Sequence, residues 1–330
     1  MAYPNHIHLL AHANPLGPDA TRFGFGDIEE YLRFARKHLS PSLELTYDLD
    51  VLKAIEDPWR GGRHDDAARL RDLQRALNDR RTLAIVAAGG GAYFARLLPH
   101  LDFSPLARRR APLWALGFSE MSTLVGLVAS YRCGRGLYWL CPNWLGSRLR
   151  PPQVAQAALA EFWRTLAEVL SGRQPKAVQH LSFGPLRGTL VRGRLQGERV
   201  RVVGGCLAVL AAVVGSPLAR RLRPDGKWLL LEDLKESPYR IDRHLAALKL
   251  AGWLERAAGL LIGDFHMLHE DTQAAVLALL DYHLPKGTKL PVVTTRDCGH
   301  VWPMVPVMLN RPLRLDRRGD QIRLWSSGLR

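Results

Sequence analysis

Residues 112–124 read PLWALGFSEMSTL, and the reading of this stretch decides the fold. An apolar run over 112–116 stops at Gly117, one serine follows at Ser119, and a helix-like pattern begins at once. A short apolar run closed by a glycine and followed by a helix is what a buried parallel strand with a crossover helix looks like in sequence. The serine at the junction has two readings. It can cap the helix, since a hydroxyl there satisfies a backbone N–H that has no partner within the helix. It can also be a nucleophile, because strand ends are where an α/β scaffold holds side chains rigidly at a cleft.

Outward from this stretch the same alternation repeats. HIHLLAHA at 6–13 is strand-like and runs into the Pro/Gly loop NPLGPDATRFGFGD. Asp27 then caps a helical pattern with Ile28, Tyr31, Leu32 and Ala35 on one face. Residues 65–78 form a second amphipathic helix, and TLAIVAA at 82–88 reads as a buried strand before Gly89-Gly90-Gly91. The order predicts an α/β layer structure with a mostly parallel sheet. A helix over 154–170 and a polar stretch over 172–185 change the pattern. The expected organisation is therefore an N-terminal α/β domain at 1–150, a connector at 151–187 and a C-terminal domain at 188–330. In the last of these, strands at 188–194, 198–203, 227–231, 258–263 and 290–295 alternate with helices at 207–214, 237–250 and 271–283.

The composition narrows the classes. A chain of 330 residues with 47% hydrophobic residues supports real cores rather than a disordered tail. No run approaches the ~20 apolar residues of a membrane span, and the N-terminal stretch lacks the basic-then-apolar form of a secretory signal. The four cysteines, Cys133, Cys141, Cys206 and Cys298, form no CxxC pair, so reduced thiols in a cytoplasm are expected. The net charge of +15 raises a nucleic-acid partner, but the arginines are scattered, with Arg108-Arg109-Arg110 the densest cluster. No zinc-finger spacing or aromatic-interleaved basic stripe appears, so no nucleic-acid partner and no membrane are expected. The charge favours anionic small substrates instead.

Three places share one form, an apolar run ending in a reactive residue: Ser119 after PLWALGF, Glu232 after KWLLLE, and His300 after LPVVTTRDCG. Serine, histidine and a carboxylate are the parts of a hydrolytic triad, in which the imidazole takes the hydroxyl proton and the carboxylate orients the imidazole. Taken singly, each residue has an ordinary explanation. A serine before a helix usually caps it, the sequence is not GxSxG, and Asp233 could replace Glu232.

The linked phrases carry more. GRHDDAARLRDLQRALNDRRTLAIVAAGGG, ARLLPHLDF, GFSEMSTL, LLLEDLKESPYRIDRHLAAL, LLIGDF and VVTTRDCGHVWPMVPVML, in that order from about Ile55 to Leu313, resemble the LD-carboxypeptidase family of serine peptidases. That family includes the microcin C immunity peptidases. The resemblance implies an N-terminal α/β layer domain plus a smaller C-terminal β-rich α+β domain, with Ser119 as nucleophile, Glu232 as triad acid and His300 as base. It implies oxyanion donors from the Glu120 N–H and the Gly90-Gly91 turn, and no metal or other cofactor. It further implies hydrolysis of an L–D peptide bond that releases a C-terminal D-amino acid from a cell-wall muropeptide, by a cytoplasmic homodimer.

Departures from the family cluster in the turns. Gly89 stands where the family has arginine in Arg-Gly-Gly-Tyr-Gly, Glu120 where it has aspartate, Leu140-Cys141-Pro142 where it has His-Gly-Pro, and Gly204-Gly205-Cys206 where it has Gly-Gly-Asn. The expectation is a competent peptidase with altered specificity. Trp302 is expected to wall the substrate site. An immunity-type peptidase acting on a peptide-nucleotide antibiotic would use Trp302 or Trp144 as a base platform, and a non-catalytic peptide-binding relative is the remaining alternative. Asp264, His266, His269 and Glu270 have helical spacing for a metal but read as a polar loop. His6, His8 and His12 read as a strand-edge and loop set, and Cys298 as structural.

Overall fold

The computed structural model describes residues 4–53, 65–173, 175, 178–266 and 272–326. The strand–turn–helix read from residues 112–124 is present. The strand β4 (Leu113–Gly117) is wholly buried, and Ser119 opens a 3₁₀ turn, Ser119–Met121, that runs into the helix Ser122–Ala129. That helix is apolar nearly all round, as a helix must be when a sheet lies on one side and another part of the molecule on the other.

Around β4 lie the strands β1 (His6–Leu10), β2 (Glu44–Thr46), β3 (Thr82–Ala87) and β5 (Gly134–Tyr138). They run in the order β2-β1-β3-β4-β5, and every pair is parallel. Near-continuous apolar strands such as TLAIVA in β3 suit this position, because helices cover both faces of a parallel sheet. The amphipathic helix Ile28–His38 is capped as its sequence predicts: the Asp27 carboxylate accepts the Glu30 N–H at 2.7 Å.

Beyond the helix Pro152–Leu170 come β6 (Leu186–Arg192), β7 (Arg199–Cys206), β8 (Trp228–Leu234), β9 (Gly259–His266) and β10 (Val292–Gly299). The last three are β11 (Val307–Leu309), β12 (Pro312–Arg318) and β13 (Gln321–Trp325). Strands β7, β8, β9 and β10 are parallel neighbours. The antiparallel strands β6, β13 and β12 continue from β10, and β12 pairs back onto β7. These seven strands therefore pair in a closed circle. The mixture of helices and strands, with a parallel part and an antiparallel part, matches the fold class expected from the sequence.

One short strand joins the two parts. β11 pairs antiparallel with β5, Val307 opposite Tyr138, and its Leu309 meets Val202 of β7. Gly205 makes a second junction. A Cβ there would lie 2.6 Å from Ser122 Oγ and 2.8 Å from the Tyr138 ring, and its φ is +147°, so only glycine lets β7 approach the helix behind Ser119 this closely.

The strand-edge placement of His6 and His8 requires a correction, while His12 lies just beyond the strand. His6, His8 and His12 are buried, and β1 is not an edge, since β2 lies outside it. His8 bonds Asp72 and Thr46, each at 3.2 Å, His6 bonds Asp79 at 3.2 Å, and His12 bonds the Arg69 carbonyl. Burial pushes His12 down to about 3, so it is neutral at physiological pH. The edge was misplaced because β2 is three residues long and carries no alternation to read.

Candidate active site

Three strand ends converge. Ser119 follows β4, Glu232 lies within β8, and His300 follows β10. Parallel strands place their C-terminal ends on one edge of a sheet, which is why residues far apart in sequence can meet there.

Glu232 and His300 form the best-defined part. His300 Nδ1 and Glu232 Oε2 are 2.7 Å apart, with Glu232 fully buried and His300 only 5% exposed. The other carboxylate oxygen accepts the Tyr138 hydroxyl at 2.6 Å. Burial alone would lower the His300 pKa, but the charge of Glu232 and its hydrogen bond outweigh burial and hold it above its ordinary value. With Nδ1 committed to Glu232, the Nε2 atom is the one left to exchange a proton with another group. Phe118 lies against the imidazole, ring centres 4.9 Å apart, and Trp144 meets it edge-on at 6.4 Å.

Ser119 is held by its backbone. Its φ is +57°, a left-handed conformation that costs a non-glycine residue about 1–2 kcal/mol. The capping reading does not hold: Phe118 occupies the cap position, and no side-chain bond caps the turn. Instead Ser122 Oγ donates to the Ser119 carbonyl at 2.6 Å and accepts the Cys206 N–H at 3.0 Å. Among the described residues no hydrogen bond joins Ser119 Oγ to His300. Tyr138 links the two sides, with its hydroxyl on Glu232 and 3.4 Å from the Ser119 N–H.

The glycine turn divides its work. A Cβ on Gly90 would lie 3.1 Å from Ser119 Cβ and 3.3 Å from its Oγ, so this glycine gives the backbone close approach to the serine. Gly91 packs instead against the Ala13 carbonyl. The Glu120 side chain turns back to the same loop and accepts the N–H groups of Phe94 at 2.8 Å and Ala95 at 3.2 Å. Buried Arg69 ties down the other side through the carbonyls of His12 and Tyr93. Around Gly89 are Asp19, Asn14 and Asn143, and the Asp19 carboxylate pairs with Arg22 at 2.6 Å.

Trp302 lies half-buried, 6.4 Å from Trp144 between ring centres, on the His300 side of the site. Sequence reasoning missed Tyr138, Ser122 and Arg148. Arg148 donates to the His300 carbonyl at 3.0 Å and places its guanidinium 4.7 Å from the centre of the Trp144 ring. Nothing in GLYWL or LGSRL sets these residues apart. Cys298 is buried, and burial drives its thiol pKa well up, which suits a structural cysteine. Of the possible metal cluster, Asp264 and His266 face each other at 3.7 Å, while His269 and Glu270 lie outside the described residues. Among the described residues no group of three or more His, Cys, Asp or Glu side chains could hold a metal.

Comparison with known proteins agrees with this architecture. Residues 20–134 match the model of the LD-carboxypeptidase N-terminal domain, and residues 199–315 that of the LD-carboxypeptidase C-terminal domain. A Streptomyces coelicolor protein with a provisional carboxypeptidase name is 32% identical over 84% of this chain and 86% of its own. The murein tetrapeptide carboxypeptidase of Pseudomonas aeruginosa is 30% identical over 66% of this chain and 71% of its own. Among solved structures, the wild-type microcin C7 self-immunity protein MccF superposes with a TM-score of 0.67 at 18% identity, covering 100% of this chain and 98% of the other. The muramoyltetrapeptide carboxypeptidase of Oxalobacter formigenes gives 0.65 at 19%, covering 97% and 98%. At such identities the structural likeness is one of fold. The sequence matches go further, and with both domain models met in order the chain belongs to the LD-carboxypeptidase family of peptidases.

Proposed function

We propose that this protein is a serine carboxypeptidase that releases a C-terminal D-amino acid from a cell-wall muropeptide. The observation that carries the reading is the buried Glu232–His300 pair, linked through Tyr138 to a serine held at positive φ beside Gly90. In this reading Ser119 Oγ attacks the carbonyl that precedes the terminal residue, and its proton passes to His300 Nε2. The tetrahedral oxyanion is held by the Glu120 N–H and an N–H of the Gly90-Gly91 turn, where the first N–H groups of a helical turn have no partner within it. His300 then protonates the leaving amine, and the free D-amino acid departs. Water, deprotonated by His300, cleaves the acyl-enzyme and restores the serine. Glu232 keeps the imidazole in the required tautomer throughout.

The proposed division of labour puts the nucleophile in residues 1–150 and the acid and base in residues 188–330. A cytoplasmic location and a homodimer belong to the same reading, the dimer to be checked by light scattering. For an immunity-type activity on a peptide nucleotide, a base would need a free aromatic face. Arg148 covers one face of Trp144, which leaves Trp302 as the ring to examine for that activity. The test is mass spectrometry of the purified protein with a muropeptide tetrapeptide and, in parallel, an aminoacyl sulfamoyl adenosine. Release of D-alanine from the first supports the proposal. Cleavage of the second alone replaces it with the immunity-type activity, and cleavage of neither removes both.

A further inference from the structure

We infer that Arg148 receives the free carboxylate at the end of the peptide and so restricts the site to chain termini, an inference that rests on the reading of Ser119, Glu232 and His300 given above. In a substrate cut before its last residue, only the amide nitrogen and Cα separate the scissile carbonyl carbon from the terminal carboxyl carbon, which lies roughly 3–4 Å away. A cation that recognises it must stand at the wall of the nucleophile–base site.

The arginines near that site differ in what neutralises them. Arg22 is paired with Asp19 at 2.6 Å, Arg69 with Asp66 at 2.6 Å, and Arg96 with Asp66 at 2.9 Å. Each sits around the glycine turn and already has a carboxylate partner, Arg69 and Arg96 sharing that of Asp66. Arg148 is exposed, and among the described residues it has no carboxylate partner. Its contacts are the His300 carbonyl, which takes one N–H, and the face of Trp144. A guanidinium has five N–H donors in a planar fork, so these contacts fix its plane while leaving donors for a carboxylate. Arg148 also ends the helix Pro142–Arg148, and the bond to His300 ties its position to that of the base itself. Trp144 packs on Phe118, ring centres 5.1 Å apart, so this one ring supports both the arginine and the residue before the nucleophile.

The experiment compares two peptides, the tetrapeptide with a free C-terminal carboxylate and its carboxamide, by calorimetric binding to the Ser119→Ala protein. The expected result is a preference for the carboxylate of roughly 10- to 100-fold, the scale of a charge-assisted pair. Adding Arg148→Ala should bring the ratio near one, and Arg148→Lys should restore part of it. Absence of a carboxylate preference in the Ser119→Ala protein overturns the inference. So does a preference that survives Arg148→Ala, or an equal weakening of both peptides, which would mark Arg148 as a support for the His300 segment only. D-alanine release by the unaltered protein is scored separately. Binding discrimination through Arg148 without release sinks the proposed reaction and leaves the carboxylate site standing; release with discrimination independent of Arg148 does the reverse.

Discussion

The two sides of the candidate site are held by opposite means. On one side Ser119 is placed by main-chain geometry: a positive φ, a turn, and two glycines, Gly90 and Gly205, that let other backbones come close. On the other side Glu232 and His300 are placed by side-chain hydrogen bonds in a buried setting, with Tyr138 on the second carboxylate oxygen. The first side is sensitive to atoms added and the second to polar atoms removed. That contrast sorts the substitutions that should damage the protein.

The largest effect should come from either reacting group. Ser119→Ala and His300→Ala should each lower D-alanine release by roughly 10⁴- to 10⁶-fold, and a Ser119→Ala protein as active as the unaltered one would end the nucleophile assignment. Next comes crowding on the serine side. Gly90→Ala puts a methyl 3.1 Å from Ser119 Cβ, and turnover should fall on the order of 10²-fold while the melting temperature changes little. A loss of stability without loss of turnover would show that the glycine serves folding alone.

Removing a polar atom from the other side should do the reverse. Tyr138→Phe leaves a buried carboxylate oxygen without its donor, and unfolding free energy should drop by about 1–3 kcal/mol, measurable by denaturant titration. No change there would mean that water replaces the hydroxyl. The smallest expected effect is on pH dependence. His300 must be neutral to take a proton, and its pKa is raised, so kcat/KM should climb through a midpoint above the ordinary histidine value of about 6.5. In Glu232→Gln the cause of the rise is gone and burial remains, so the midpoint of the residual activity should move down. The linked stability has the matching sign. Because the folded-state pKa is the higher one, the His300–Glu232 contribution is complete below the unfolded value and is lost as pH rises through the folded one.

The contrast between the sides also explains what could be read in advance. The serine side is a local pattern, since an apolar run, a glycine and a helix follow one another closely; the structure shifts the strand by one residue, to Leu113–Gly117, and inserts the turn Ser119–Met121 before the helix. Ser119, Glu232 and His300 could be proposed from the sequence because each ends or interrupts an apolar run. What joins the sides was not. Tyr138 sits in a short strand whose phenol looks like any other in the sequence, and its meeting with Glu232 spans 94 positions. β11 is three residues long and pairs with strands about 170 and 105 residues earlier, so no periodicity announces it. Arg148 is one of many arginines in a chain with 46 basic residues, and only its contacts distinguish it.

The closed circle of strands has a consequence for synthesis. Glu232 lies on β8 and His300 just after β10, both in the circle, yet the circle is completed by β12 and β13, which are made later than either residue. Until Trp325 has left the ribosome, β6 and β7 each carry an unpaired row of N–H and C=O groups, an open template for joining other chains. Newly made protein is therefore exposed to aggregation until the β12–β13 hairpin docks, and a premature stop between residues 301 and 311 should yield chains that hold Ser119, Glu232 and His300 and still fail to stay dispersed.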